Sequence, residues 1–173
     1  MKKDNLDEII IYTDGSCNHK TKSGGTGIYI IYKDVRKSFF KGFKNTKTGR
    51  SELLGLICGM KLIKNKKIKT SIFCDSQYAI KGVNIWSKSW VEFNFAGIKN
   101  ADLWRILLEE KNLFDNISFN WIKGHNNNFG NEKADKLARE GYLSKEEDKI
   151  LDLETPFSTS FSEEMENYLK NLS

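Results

Sequence analysis

The chain has 173 residues, of which 39% are hydrophobic and 29% charged, a balance typical of one soluble globular domain with its own core. No apolar run approaches the length of a membrane span, and no signal-peptide-like stretch follows the polar start. We therefore expect a cytoplasmic protein that does not enter a membrane. The three cysteines are far apart and match neither a zinc site nor a disulfide framework, which favours a reducing compartment.

Charge is unevenly distributed along the chain. The formal net charge is +5, but residues 146–173 contain eight acidic residues against two lysines, so this end carries −6 and residues 1–145 carry +11. A basic body suits a polyanionic partner such as nucleic acid, because each neutralised phosphate releases condensed counterions. The alternative is a lysine-rich composition that only confers solubility.

The chain begins with three predicted strands. The β-branched run over residues 9–13 predicts a buried strand that ends at Asp14, and the polar residues 15–25 predict a loop. Residues 27–33 and 38–43 predict two further strands. The short connections between them imply an antiparallel meander.

An amphipathic helix and a fourth strand follow. Apolar residues recur every three or four positions over residues 51–63, which predicts a helix, and Gly55 and Gly59 allow it to pack closely on a neighbour. Residues 71–74 predict a strand that ends at Asp75. The strand–helix–strand order implies a right-handed crossover and a parallel pair of strands.

Two helices, over residues 102–112 and 129–142, and a fifth strand, over residues 117–122, complete the predicted body of the protein. We predict that residues 1–145 form one catalytic domain.

The acidic residues 146–173 form a predicted C-terminal extension of helical character. Two capping-box patterns, Ser144 with Glu147 and Ser160 with Glu163, predict helix starts. The extension docks on the body, binds a partner or stays loose, and docking is the favoured alternative. Its apolar residues share one helical face: Phe161, Met165, Tyr168, Leu169 and Leu172.

Four acidic side chains carry the predicted chemistry. Asp14 and Asp75 each follow a predicted strand, and parallel neighbouring strands bring such residues together at the carboxyl end of a sheet. Glu52 lies at the start of the first helix and Asp135 in the last one; taken singly, these two are more often caps or solvent-facing acids. Four converging carboxylates repel one another unless cations lie between them, and Mg²⁺ is the usual choice for phosphate chemistry.

A pair of divalent ions about 4 Å apart suits phosphodiester hydrolysis, because one ion lowers the pKa of a bound water and the other neutralises charge on the leaving 3′ oxygen. His125 follows the fifth strand in a predicted loop. Such a histidine shuttles protons or helps product release when it lies near a metal site, and is otherwise a surface residue.

Five short motifs occur in a set order along the chain. Each is weak alone, but together they resemble type 1 ribonuclease H over roughly residues 8–142. The motifs are Thr13-Asp14-Gly15-Ser16-Cys17, Arg50-Ser51-Glu52-Leu53, Cys74-Asp75-Ser76-Gln77-Tyr78, Asp102-Leu103-Trp104, and Trp121-Ile122-Lys123-Gly124-His125 followed by Asn131-Glu132 and Ala134-Asp135.

The resemblance implies an α/β, ribonuclease H-like fold: a five-stranded mixed sheet of order 3-2-1-4-5 flanked by helices. It implies an endonuclease that hydrolyses the RNA strand of RNA–DNA hybrids and leaves 5′-phosphate and 3′-hydroxyl ends. Two Mg²⁺ ions, with Mn²⁺ as a possible substitute, are implied as cofactors, and we expect a monomer. The implied catalytic residues are Asp14, Glu52, Asp75, Asp135 and, as an auxiliary group, His125.

By the same resemblance, a further set of residues contacts the hybrid, where the 2′-hydroxyl separates RNA from DNA. Trp86 and Trp90 either pack on the substrate or fill the core beneath a protrusion. The predicted hybrid-binding residues are Gly15, Ser16, Cys17, Arg50, Gln77, Asn131, Trp86 and Trp90.

Three departures from the family pattern bear on substrate binding. Residues 18–22 replace a Gly-Asn-Pro-Gly turn, and Thr48 and Gly49 replace two asparagines. The chain also lacks most of the lysine-rich protrusion of many bacterial members. Either binding is weaker and less salt-sensitive, or charge comes from Lys20, Lys22, Lys44, Lys47 and Arg50.

Other function classes compete with this one. A hybrid-binding module without catalysis has no need of all four acids, yet all four are present. A related metal nuclease or integrase on the same fold would lack the Lys-Gly-His loop and the Asp-Ser-Gln-Tyr segment. A domain of a reverse transcriptase is disfavoured because the first motif lies near the chain's start.

Overall fold

A computed structural model describes residues 7–154 and 161–172, which form an α/β structure around one mixed sheet. The strands are β1 (Glu8–Asn18), β2 (Ser23–Tyr32), β3 (Val35–Lys44), β4 (Lys69–Cys74), β5 (Ile117–Trp121) and β6 (Ile150–Leu151). The helices are α1 (Thr48–Lys61), α2 (Gln77–Lys81), α3 (Ser87–Glu92), α4 (Ala101–Lys111), α5 (Phe129–Leu143) and α6 (Glu163–Leu172), with a π-helical segment at Gly82–Trp86 and a 3₁₀ turn at Glu146–Asp148.

The strand order is β5-β4-β1-β2-β3-β6. β1, β2 and β3 are antiparallel neighbours, while β4 pairs parallel with both β1 and β5. The predicted five-stranded mixed sheet of order 3-2-1-4-5 is therefore confirmed. The sequence did not indicate β6, a two-residue strand parallel to β3 that joins the sheet from the C-terminal extension.

The first hairpin is longer than its composition indicates. β1 continues past Asp14 to Asn18, and the β1–β2 ladder extends from Ile9 opposite Tyr32 to Asn18 opposite Ser23. The predicted end of the strand at Asp14 and the predicted loop over residues 15–25 were wrong. Ladder hydrogen bonds are made by the backbone, so polar and glycine residues extend a hairpin wherever the partner strand is in register.

α1 covers one face of the sheet with fully buried apolar side chains. An added Cβ at Gly59 would lie 3.2 Å from a methyl of Ile11, and one at Gly55 would lie 3.4 Å from Thr13, so both glycines face β1 at close range. The prediction of close packing at these positions is confirmed. The fully buried residues on this helix are Leu53, Leu56, Ile57 and Met60.

α5 covers the opposite face and approaches β2 backbone to backbone. An added Cβ at Gly27 would lie 2.1 Å from the carbonyl oxygen of Ala134, and one at Gly25 would lie 2.2 Å from that of Ala138. Contact this close is possible only without side chains. The two glycines therefore set the depth of α5 over the sheet, and with it the position of Asp135.

The C-terminal extension packs on the body through β6 and α6. Met165 and Leu169 of α6 are buried, and the Tyr168 hydroxyl donates a hydrogen bond of 2.9 Å to the Phe40 carbonyl. The predicted apolar face of this helix is therefore turned inward. The boundary between a domain at 1–145 and an extension at 146–173 stays a prediction.

The two predicted capping boxes have different outcomes. The Ser144 hydroxyl donates to the Gly141 carbonyl at 2.7 Å, at the end of α5, and only a 3₁₀ turn follows it, so no α-helix begins there. Ser160 lies outside the described residues. All three cysteines are free. Over residues 7–154 and 161–172, no helix is both long enough and apolar enough to traverse a bilayer.

We predict that Gly27→Ala destabilises the protein by about 3 kcal/mol or more, because the added methyl overlaps the α5 backbone and neither element can yield alone. Gly55→Ala is the matched control: its methyl would approach neighbouring atoms to 3.4 Å without overlap and would raise helix propensity, so stability changes by less than about 1 kcal/mol. Urea denaturation measures both. Equal stabilities for the two variants would contradict the described packing of α5.

Candidate active site

Asp14 and Asp75 are neighbours where β1 and β4 separate. Thr13 opposite Cys74 is the last paired position of the two parallel strands, and each aspartate is the next residue on its strand. β4 ends there, whereas β1 continues along β2, with Asp14 opposite Gly27. Both side chains therefore start from the same edge of the β1–β4 pair.

Glu52 is brought to this edge by a close contact between β1 and α1. An added Cβ at Gly15 would lie 2.5 Å from the backbone nitrogen of Glu52 and 2.7 Å from the carbonyl carbon of Ser51. Only glycine allows that approach. The residue after Asp14 thus sets how near the first turns of α1 come to the aspartates.

Ser76 orients the Glu52 carboxylate. Its hydroxyl donates to Glu52 Oε2 at 2.5 Å and accepts from the backbone N–H of Ala79 at 3.2 Å, as the N-cap of α2. Burial raises the pKa of Glu52, the Ser76 hydrogen bond lowers it, and the negative charge of Asp75 raises it again, with a net rise.

Asp135 comes from α5, which also touches Asp75 directly. The Asn131 side-chain amide donates to Asp75 Oδ2 at 3.3 Å, and the Asn131 backbone N–H is capped by Asn128 at 3.0 Å. Asp135 lies one turn further along the helix and forms an ion pair of 3.2 Å with the exposed Arg139.

The four carboxylates are close enough to act on one another electrostatically. Burial is the largest cause of the rise in the pKa of Asp14 to about 8, and the charge of Asp75 is the next. A hydrogen bond from the Gly15 N–H, 2.7 Å long, lowers this pKa, and the charges of Asp135 and Glu52 raise it further. Asp14 is therefore a buried carboxyl group surrounded by three like charges.

These residues fit hard divalent cations by their chemistry. The donor set is all oxygen, and the side-chain oxygen of Asn131, buried beside Asp75, has no hydrogen-bond partner. Over the described ranges 7–154 and 161–172, no three His, Cys, Asp or Glu side chains form a preassembled metal-binding group. Glu52 accepts a hydrogen bond from Ser76, and Asp135 forms an ion pair with Arg139.

The loop between β5 and α5 borders the site. An added Cβ at Gly124 would lie 2.6 Å from Asp75 Oδ2, so the loop backbone passes directly over this carboxylate. The next residue, His125, is exposed and has a left-handed backbone conformation with φ of 52°. Its predicted auxiliary role stays a prediction.

Some predicted hybrid-binding residues are accessible beside the carboxylates. Gly15, Ser16 and Cys17 are half-buried on β1 beyond Asp14, and Gln77 is exposed at the start of α2. Trp86 is 38% exposed.

Arg50 and Asn131 do not have the surroundings of substrate-binding residues. Arg50 is only 2% exposed, and its guanidinium is held by Asp102 and Asp152, so its prediction as a hybrid contact and as a source of surface charge was wrong. Asn131 is 3% exposed, and its side-chain amide donates a hydrogen bond to Asp75.

Trp90 makes the core contact that was one of its two predicted roles, and its contact with the substrate stays a prediction. Its ring packs 4.9 Å from the ring of the fully buried Trp104, so the core contact exists. Trp86 packs at 5.9 Å on Trp90 from outside, and of the two tryptophans it is the more exposed.

Sequence analysis missed the contacts of three residues: Ser76 with Glu52, Gly124 with Asp75, and Asp152 with Arg50. Ser76 had a usable signal, since a serine before a short helical stretch is an N-cap pattern. Gly124 had a weaker one, a glycine in a polar loop next to a strand end. Asp152 had none, because its partner Arg50 is about a hundred residues away.

The family model described as RNase H matches residues 7–143 of the chain. Ribonuclease H of Orientia tsutsugamushi (strain Boryong) is 38% identical over 142 residues, covering 78% of this chain and 82% of the relative. Ribonuclease H of Desulforamulus reducens is 39% identical over 140 residues, covering 78% and 87%.

A solved structure has the same fold. The crystal structure of LC9-RNase H1, a type 1 RNase H with the type 2 active-site motif, matches with a TM-score of 0.72 at 23% identity, covering 79% of this chain and 72% of that one.

We predict that metal-free protein loses stability as pH rises from about 4 to about 8, because folded Asp14 holds its proton over that range while the unfolded chain releases it. Asp14→Asn removes this loss. Its melting temperature should exceed that of the wild type by at least roughly 3 °C near pH 8.5, and the gain should shrink towards pH 5.

Differential scanning fluorimetry in a chelator measures this, with the exposed Asp34→Asn as the matched control. Added Mg²⁺ should raise the melting temperature of the wild type more than that of Asp14→Asn. A gain that does not change with pH would contradict the described surroundings of Asp14.

Proposed function

Because the chain belongs to the RNase H family, we propose that it hydrolyses the RNA strand of RNA–DNA hybrids at the site formed by Asp14, Glu52, Asp75 and Asp135. It is an enzyme, a metal-dependent endonuclease of that family. The proposal extends this membership to the two-metal mechanism, the 5′-phosphate and 3′-hydroxyl products, and the residues that carry them.

The observation that carries the proposal is the burial of Asp14, which is 9% exposed, next to Asp75 where β1 and β4 separate. A buried carboxyl group with a pKa of about 8, raised also by three neighbouring carboxylates, is costly to a folded protein and is relieved by bound cations. No structural ion pair of Asp14 compensates for this in the described part of the chain. Binding of cations at the site would offset this cost.

Residues of the chain would hold the cations in position and transfer a proton. Asp14, Glu52, Asp75 and Asp135 would hold two divalent cations, Mg²⁺ or Mn²⁺. When bound, such a pair supplies the acidity that turns water into a nucleophile and the positive charge that the leaving 3′ oxygen needs. The Asn131 amide binds Asp75. His125, which follows the Gly124 that lies against Asp75, would accept or deliver a proton.

The exposed surroundings of the acids suit the minor groove of a hybrid. Gly15, Ser16 and Cys17 are half-buried on β1 beyond Asp14, and Gln77 is exposed at the start of α2, two residues after Asp75. Backbone and amide groups of this kind recognise sugar hydroxyls, and the 2′-hydroxyl is the feature that marks the RNA strand. The basic balance of residues 1–145 supports binding of a polyanion.

We predict that Asp14→Asn lowers the cleavage rate of an RNA–DNA hybrid by about a thousandfold or more in Mg²⁺, while the dissociation constant for the hybrid changes by less than roughly threefold. A labelled hybrid is compared with duplex RNA, duplex DNA and single strands. Asp34→Asn, which removes an equal charge at the exposed β2–β3 turn, should cleave like the wild type. Wild-type cleavage by Asp14→Asn would overturn the site assignment, and hybrid binding without cleavage by the wild type would favour a non-catalytic module.

We predict that the products carry 5′-phosphate and 3′-hydroxyl ends, because the proposed leaving group is the 3′ oxygen. Phosphatase sensitivity and polymerase extension of the isolated fragments distinguish these ends. Fragments with a 2′,3′-cyclic phosphate would instead require attack by the 2′-hydroxyl and would contradict the proposed mechanism.

A further inference from the structure

The C-terminal extension inserts a carboxylate into the core of the body. Asp152, the residue after β6, is 7% exposed and binds Arg50, which is 2% exposed. The contacts are Nε to Oδ2 at 2.8 Å and Nη2 to Oδ1 at 2.8 Å. Asp102 of α4 binds the other edge of the same guanidinium, with both contacts at 2.9 Å.

Every N–H of the Arg50 guanidinium has an acceptor in this arrangement. Two face Asp152, two face Asp102, and the fifth faces the Asn100 side-chain oxygen at 3.5 Å. Loss of Asp152 would leave two donors of a buried cation without partners. Such an arginine moves towards other acceptors or water, and the backbone that carries it moves with it.

That backbone is the first turn of α1. Arg50 is the third residue of the helix, and Glu52 follows two residues later. Asp152 Oδ2 also accepts from the Thr46 hydroxyl at 2.8 Å, just before the helix begins. Gly15 lies against the backbone of Glu52 in the same turn. The start of the helix is therefore held both by β1 and by the C-terminal extension.

Backbone pairing with β3 fixes the position of Asp152. The Asp152 N–H donates to the Lys44 carbonyl at 2.9 Å, which continues the β3–β6 register. The Lys41 ammonium donates to the Asp148 carbonyl at 2.6 Å, which adds a second tether. Residue 152 lies beyond the residues 7–143 that match the family model.

We propose that Asp152 is a positioning residue of the active site, through which the C-terminal extension holds Arg50 and thereby sets the place of Glu52. The inference rests on the proposed function, since Glu52 matters only if it holds catalytic cations. The extension is then part of the catalytic unit, because its buried Asp152 holds Arg50 in place.

The test compares Asp152→Asn and Asp152→Glu with the wild type and with Glu147→Gln. The last variant removes one exposed charge from the same extension, so it controls for weaker repulsion of the hybrid. We expect kcat of Asp152→Asn to fall about tenfold with KM for the hybrid within roughly twofold, because a displaced catalytic group slows chemistry more than binding. Asp152→Glu keeps the charge and should give an intermediate kcat, and Glu147→Gln should match the wild type.

Mg²⁺ binding without substrate gives an independent result. Titration calorimetry should show an Mg²⁺ dissociation constant raised by a factor of about three to ten in Asp152→Asn. All assays are run well below the melting temperature of each variant. A variant that melts earlier but keeps wild-type kcat and Mg²⁺ affinity would show a purely structural role and overturn the inference.

The outcomes separate this inference from the proposed function. If the wild type and Glu147→Gln do not cleave hybrids, the proposed function fails, and the calorimetric comparison still decides whether Asp152 acts on the cation site. If Asp152→Asn does not fold, the decision passes to Asp152→Glu, whose wild-type kcat and Mg²⁺ affinity would overturn the inference.

Discussion

The burial of Asp14 near three half-buried carboxylates, at the edge shared by β1 and β4, is the constraint on which the rest of the molecule depends. Asp14 is 9% exposed and its pKa is raised to about 8, first by burial and then by its acidic neighbours. Keeping such a group buried lowers the free energy of unfolding, and packing elsewhere in the fold must compensate for it. The hydrogen bonds of Ser76 to Glu52 and of Asn131 to Asp75 keep those two neighbouring carboxylates from turning away into solvent.

Close backbone approaches bring the acid-bearing segments to that edge. Gly15 admits the start of α1, Gly27 admits α5, and Gly124 lets the loop after β5 pass over Asp75. In each case an added Cβ would lie within 2.6 Å of another atom. Gly15 and Gly27 meet backbone, whereas Gly124 meets the Asp75 side chain. Side-chain packing adjusts by rotamer changes, but a clash with backbone does not, so Gly15 and Gly27 are stricter than the apolar core around them.

The C-terminal extension makes one kind of contact that the sequence indicated and two that it did not. Its apolar face indicated docking, and Met165 and Leu169 are buried as that pattern suggests. Its β6 strand and the buried Asp152 were not visible in hydropathy at all. The negative net charge of the segment describes its exposed residues. Asp152, in contrast, forms an ion pair with Arg50, whose side chain is about 3% exposed. Charge counting therefore gave no sign of the buried ion pair between Asp152 and Arg50.

The sequence by itself determined the amphipathic helices, because periodicity is a local signal. Its motifs carried the resemblance to type 1 ribonuclease H, and that resemblance implied the strand order that the structure confirms. The same motifs made the four acids a prediction. The tertiary structure alone decided that Asp14 lies within a longer β1, that Arg50 is buried instead of facing a substrate, and that Asp152 reaches it from the far end of the chain. The physical reason is that ladder pairing and buried ion pairs depend on partners many residues away. A local pattern carries no information about which distant backbone is in register, or which distant carboxylate will meet a given arginine.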